Sequence, residues 1–146
     1  MKNDYSVGIV VYHKFKEGKR FLIIQHEEGH WGFPKGHPER GESKHTTAAR
    51  ELLEETNIEK IRLIDGENLL TEEYNFVDNK GVNILKKVDY FIAESLDNNV
   101  KIDGKEIIDF KWCTQEEASR IITFKESRKV FEKANEFIKK MIKTKE

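Results

Sequence analysis

Cysteine is almost missing from this chain: Cys113 is the only one. A lone thiol excludes an intrachain disulfide, and no Cys/His spacing fits a zinc site, so Cys113 reads as a small buried apolar residue. Proline is nearly as scarce, with two residues, Pro34 and Pro38, in one short stretch. Long apolar runs are absent too. Val7 to Tyr12, interrupted by Gly8, is the longest, far below the ~20 residues of a membrane span. Residues 1–6, MKNDYS, lack the apolar stretch of a secretory leader, so a reducing cytoplasm is the expected setting. Charge of one sign is missing as well. Lysine plus arginine number 26 and aspartate plus glutamate 27, a net charge of −1. That balance excludes nucleic-acid binding driven by bulk charge. Eight Lys/Arg against four Glu in 125–146 read as a solvated helix face.

What is present points to a folded domain. Hydrophobic residues are 37% and aromatic residues 10% of 146 positions, enough for one ordinary core. With no linker, repeat or low-complexity tract, one domain is expected over 1–146. Tyr5 to Tyr12 alternates and is rich in β-branched residues, a strand; 14–20 is a loop or turn, and Phe21 to Gln25 a second strand. The stretch 30–41 holds both prolines with Gly32, Gly36 and Gly41 and reads as an ordered loop. Ser43 to Thr56 lacks Gly and Pro and is a helix. Leu70 to Val77 and Val82 to Ala93 flank Asp78-Asn79-Lys80-Gly81, a hairpin signal. Ile107 to Cys113 is a further strand. Thr114 opens a short helix, with Glu116 and Glu117 in its first turn. Val130, Phe131, Ala134, Phe137, Ile138, Met141 and Ile142 recur at helical spacing. The expected class is α+β, a mixed sheet packed between helices as an α/β/α sandwich.

The central helix concentrates charge. At about 100° per residue from Glu51, Glu54 falls near 300° and Glu55 near 40°, so three carboxylates share one stripe. Ala48, Ala49, Leu52 and Thr56 lie on the core side by the same arithmetic, with Leu53 at its edge. Clustered carboxylates repel one another unless a partner intervenes. A hard divalent cation with oxygen ligands is such a partner, and magnesium commonly binds substrate phosphates as well. A solvated charged face is the plainer alternative for the Glu-Glu doublet alone, since the doublet also occurs at 27–28, 72–73 and 116–117.

The whole pattern decides between them. Gly36, five residues, Glu42, seven residues, Arg50-Glu51-Leu52, one residue, Glu54-Glu55, one residue, Asn57-Ile58 resembles the Nudix hydrolase signature, with Asn57 replacing a glycine. Asn is the next-best left-handed helix cap after Gly, so the helix end should survive. The resemblance implies a Nudix fold, magnesium or manganese as cofactor with more than one ion, and hydrolysis of a nucleoside diphosphate linked to another group. Glu51, Glu54 and Glu55 would hold the metal with the Gly36 carbonyl, while Glu42 and Arg50 would brace the loop and helix.

The preceding loop, His30-Trp31-Gly32-Phe33-Pro34-Lys35-Gly36-His37, resembles that of the asymmetrical diadenosine tetraphosphate hydrolases, as do Tyr74-Asn75-Phe76, Val88 to Ala93, Glu106 and Phe110 to Cys113. This resemblance implies cleavage of diadenosine tetraphosphate, a dinucleoside polyphosphate, to ATP and AMP; a monomer with no stable nucleic-acid partner is expected. It places Lys35, His37 and Lys86 on the phosphates, Tyr90 and Phe124 around a base with Tyr74 nearby, and Glu106 as an added metal ligand or general base in competition with Glu51. Trp31 and Trp112 read as structural. Two other readings stay open: an RNA 5′-pyrophosphohydrolase, which shares the Phe-Pro-Lys-Gly core, and a Nudix-like module that senses a nucleotide without cleaving it.

Overall fold

The computed structural model describes residues 2–64 and 69–145, with side chains through Ile142. Among these residues eight strands and three helices follow in the order β1 (Lys2–Phe15), β2 (Gly18–His26), β3 (Trp31–Gly32), β4 (Lys35–Gly36), α1 (Lys44–Thr56), β5 (Ile61–Ile64), β6 (Leu70–Val77), β7 (Asn83–Ser95), β8 (Ile107–Cys113), α2 (Gln115–Ile121) and α3 (Lys125–Lys145). The strands form one sheet, ordered β3-β2-β1-β7-β5, with β4 on β1, β6 on β7 and β8 on β2. The long central pair β1 and β7 is parallel, Gly8 opposite Tyr90, and the other pairs are antiparallel. The mixed sheet expected for an α+β protein is what forms.

Period-two alternation explains the two cores. Val7, Ile9, Val11, Leu22, Ile24, Phe91 and Ala93 point to one face and meet Ala48 and Leu52 of α1. Val10, Tyr12, Phe21, Ile23, Val88, Tyr90 and Ile92 point to the other and meet Ala118, Val130, Phe131, Ala134 and Ile138 of α2 and α3. Strands buried on both faces carry near-continuous apolar runs. Each fully buried Leu, Ile or Phe contributes roughly 1.5–3 kcal/mol, so the sheet is the rigid element on which the loops are mounted.

Local chemistry sets the element ends. Ser43 caps α1, its hydroxyl accepting the Thr46 N–H at 3.1 Å. Asn57 ends α1 in the left-handed region at φ 66°, its N–H donating to Leu53 O at 2.9 Å. Thr114 and Glu117 form a reciprocal capping box at α2. At the β6–β7 turn the Asp78 side chain accepts the Lys80 and Val82 N–H groups, both at 2.9 Å.

Several elements differ from the sequence reading. β1 runs from residue 2 to 15, and the turn expected over 14–20 shrinks to Lys16 and Glu17, because β1 and β2 keep pairing to Phe15 opposite Gly18. β5 was not expected from the sequence; its four residues gain strand geometry from pairing with β7. The loop 30–41 contains two short bridges, β3 and β4, which tie it to β2 and β1. In α1, Ala49 is only half-buried, and Leu53, placed at the edge of the core side, is 40% exposed.

Candidate active site

The loop that follows β3 is fastened across β1 by close backbone approach. The Ile9 N–H donates to Pro34 O at 3.1 Å, and Lys35 and Gly36 pair with Gly8 and Val7. A Cβ on Gly8 would lie 2.6 Å from the Tyr90 ring and 2.7 Å from Pro34 O, so no side chain fits there. A Cβ on Gly36 would lie 2.0 Å from the Glu51 carboxyl carbon. Glu51 therefore rests directly on the Gly36 backbone.

Arg50 ties loop to helix. Its Nε and Nη2 donate to the two Glu42 oxygens at 2.7 and 3.0 Å, a bidentate pair. It also donates to Glu51 at 2.8 Å, to Glu54 at 3.3 Å and to His37 O at 3.0 Å. Glu42 accepts in addition from the Glu39 N–H at 2.7 Å and the Thr47 hydroxyl at 3.0 Å. These bonds, that from Arg50 foremost, hold the Glu42 carboxyl down at about 2.

The signature carboxylates separate into different environments. Glu55 is buried and accepts the Lys35 N–H at 3.2 Å. Burial, with the charge of Glu51 behind it, pushes its pKa up to about 9. Glu51 is also raised, by burial first, against the opposing pull of Arg50. The Glu106 charge adds to the strain on both. Glu51, Glu55, Glu106, Gly36, Lys35, His37, Arg50 and Lys86 line a polar cavity of about 610 Å³. Glu54 stands outside that wall, its side chain 56% exposed and turned to Arg50. The single stripe drawn from helical angles is thus split. Among the described residues no three His, Cys, Asp or Glu side chains already form a metal-binding group; Glu51 and Glu54 bond to Arg50 and Glu55 to the Lys35 N–H instead.

A second cavity of about 670 Å³ adjoins the first and shares Lys35, Lys86, His26 and Glu28 with it. Its walls include His30, Tyr74, Phe76 and Phe124. Phe124 is 46% exposed and lies 5.1 Å from the His30 ring, while Tyr74 and Phe76 are 6.0 Å apart on β6. A polar cavity that meets an aromatic one at Lys35 and Lys86 suits a ligand with an anionic chain and a flat apolar end.

Comparison with known proteins gives this arrangement a lineage. A family model for the NUDIX domain matches residues 2–134. The chain belongs to the Nudix family. It is 36% identical over 123 residues to the mouse asymmetrical bis(5′-nucleosyl)-tetraphosphatase, covering 81% of this chain and 80% of that protein. The Caenorhabditis elegans enzyme of the same name is 33% identical over 136 residues, 91% of this chain and 95% of the relative. The crystal structure of a C. elegans Ap4A hydrolase binary complex superposes with a TM-score of 0.78 at 30% identity, over 92% of this chain and 96% of that one. The NUDIX domain of Shewanella oneidensis NrtR, complexed with ADP ribose, shares the fold at TM-score 0.75 and 20% identity, over 94% and 90% of the two chains.

Nudix hydrolases generally use divalent metal ions. The residues here fit one. Burial and mutual repulsion raise the pKa of Glu51 and Glu55 even with Arg50 and Lys35 nearby, Glu106 adds a third negative charge, and the donors are all oxygen.

Within this Nudix site the sequence-derived positions fall unevenly. Lys35 and Lys86 line both cavities, and His37 lines the polar one, 68% exposed at its side chain. Burial lowers the Lys35 pKa, with the charge of Glu72 opposing. Tyr74 and Phe124 line the aromatic cavity. Tyr90 does not, and its expected place beside a base is corrected: it is 1% exposed, edge-on to Phe33 at 5.4 Å, with its hydroxyl donating to Glu72 at 2.8 Å. Strand alternation explains this, because Tyr90 and Val88 share the core-facing side of β7. Trp31 and Trp112 pack against the two cores, and Cys113 is buried.

His26 and His30 were missed. Their rings stack at 4.4 Å and 10°, and His26 Nε2 is buried without a hydrogen-bond partner among the described residues. Burial, then the neighbouring His30 and Lys35, lowers His26 to about 4, so it is neutral at pH 7. Only their contact across the end of β2 reveals the pair; nothing in the spacing marks it.

Proposed function

We propose that the chain, acting as one domain, hydrolyses diadenosine tetraphosphate to ATP and AMP by attack of water on the polyphosphate chain. The observation that supports this best is the junction of the two cavities at Lys35 and Lys86. A polyphosphate chain in the polar cavity and its nucleoside in the aromatic one would both contact those lysines. Glu51, Glu55 and Glu106, with Glu54 swinging in from outside the wall and the Gly36 carbonyl beside Glu51, would hold magnesium or manganese, more than one ion fitting the number of carboxylates. A bound divalent cation supplies Lewis-acid neutralisation of phosphate charge and activation of water.

The chain's own groups do the rest. Lys35, His37 and Lys86 donate to phosphate oxygens, the lysines as compact point charges. A carboxylate oxygen of Glu51 or Glu106 takes the proton from the attacking water; the raised pKa of Glu51 favours that role. Arg50 and Glu42 keep the helix and loop in register. Tyr74 and Phe124 flank the base in place of Tyr90, and stacking of this kind is worth ~1–3 kcal/mol per base.

Product analysis in oxygen-18 water, with magnesium and a triphosphorylated RNA in parallel, tests the proposal. Equal ATP and AMP with RNA untouched support it, and the label identifies the attacked phosphorus. Turnover of RNA alone replaces it with the RNA 5′-pyrophosphohydrolase reading. Nucleotide binding without turnover of either substrate would favour a sensing module.

A further inference from the structure

One carboxylate joins two of the donors just assigned to phosphate. His37 Nε2 lies 2.8 Å from Asp4 Oδ1 and Lys86 Nζ 3.0 Å from Asp4 Oδ2. Lys86 also donates to the Ser6 hydroxyl at 2.6 Å. A carboxylate only accepts, so the His37 Nε2 carries the proton in this contact. The three groups come from three places: the start of β1, the loop after β4, and β7. Lys86 is 6% exposed, whereas the Asp4 side chain, near the end of its strand, is 35% exposed. Lys86 borders both cavities and Asp4 borders the aromatic one, so the bridge stands where the cavities meet.

Two carboxylate oxygens bridging two N–H donors make the same contacts that two non-bridging oxygens of a phosphate would make. We propose that Asp4 is a resident anion in the phosphate path, holding His37 and Lys86 until a phosphate chain displaces it, and thereby favouring long phosphate chains over short ones. This rests on the assignment of His37 and Lys86 to phosphate. Asp4 is tethered, so it competes at a high effective concentration. A single phosphate brings little more charge than the carboxylate it must replace. A longer chain also reaches Lys35 and offsets the displacement.

Calorimetric titration with adenosine, AMP, ADP and ATP in a chelator tests this without turnover. Asp4→Asn keeps the shape of the side chain and removes its charge. It is expected to bind AMP and ADP about tenfold tighter, the effect of deleting one nearby charge at a partly screened site. Adenosine, with no phosphate to compete with Asp4, should bind unchanged, and the rise in affinity from AMP to ATP should be smaller than in the parent. Asp4→Ala should move in the same direction, and thermal melts report whether both variants keep the fold. Lys86→Gln should weaken ADP and ATP. If Lys86→Gln weakens them while both Asp4 variants bind AMP and ADP no tighter than the parent, the role of Asp4 is overturned and the phosphate path stands. If Lys86→Gln leaves ATP affinity unchanged, the phosphate-path assignment falls and the proposal with it.

Discussion

Glu55→Gln should make the metal-free protein more stable at neutral pH while removing its activity. Glu55 has an ordinary pKa of 4.5 and is pushed up to about 9 in the fold, by burial first and the Glu51 charge second. The folded state therefore holds a proton that the unfolded state has released. An acid with a raised folded pKa favours folding fully below 4.5, and that contribution is lost as pH rises toward 9. At pH 7 the interval from 4.5 is 2.5 pH units, which at ~1.36 kcal/mol each is about 3.4 kcal/mol. Solvent reaching an open cavity screens part of this, leaving roughly 2 kcal/mol. Glutamine has no proton to lose, and its carbonyl can still accept the Lys35 N–H. Urea denaturation in a chelator from pH 5 to 8 should show the parent falling relative to the variant as pH rises. Saturating magnesium should reverse the order: a ligand at a hundred times its Kd stabilises by ~2.7 kcal/mol, and the variant should gain less. Turnover should drop at least about a hundredfold, the effect of losing several kcal/mol of transition-state stabilisation. Parallel pH dependences in the chelator would refute the account of Glu55 as a buried, protonated carboxyl.

Four further outcomes follow from the geometry. Tyr74→Ala or Phe124→Ala should raise KM roughly tenfold by losing a stacking face. Tyr90→Phe should leave KM near the parent value and cost about 1 kcal/mol by chemical denaturation, for the lost hydrogen bond to Glu72. Gly36→Ala should weaken magnesium binding measured by calorimetry by at least about tenfold, because its Cβ would meet the Glu51 carboxyl at 2.0 Å and push it from the loop. Asn57→Ala should lower stability by about 1 kcal/mol and Asn57→Gly should not, since φ there is 66°; thermal melts distinguish the two.

Local chemistry was legible in the residues themselves. The Gly36-to-Ile58 spacing placed the loop and the helix, and Ser43, Asn57 and Thr114 marked helix ends, because caps and turns depend on side chains within a few positions of the backbone they satisfy. The order of strands and helices likewise pointed to a mixed sheet packed between helices. Tertiary packing decided what periodicity leaves open. β5 is a strand because β7 lies beside it. Glu55 lost its solvent because the Lys35 loop closes over it, while Glu54, one residue earlier, kept its own. Tyr90 and Tyr74 are both aromatic residues on paired strands, but only the faces chosen by α3 and by the two cavities made one a core residue and the other a cavity wall. The Asp4 bridge joins residues more than eighty positions apart. Contacts of that range depend on how β1 and β7 register, a quantity set by the whole sheet rather than by any one segment.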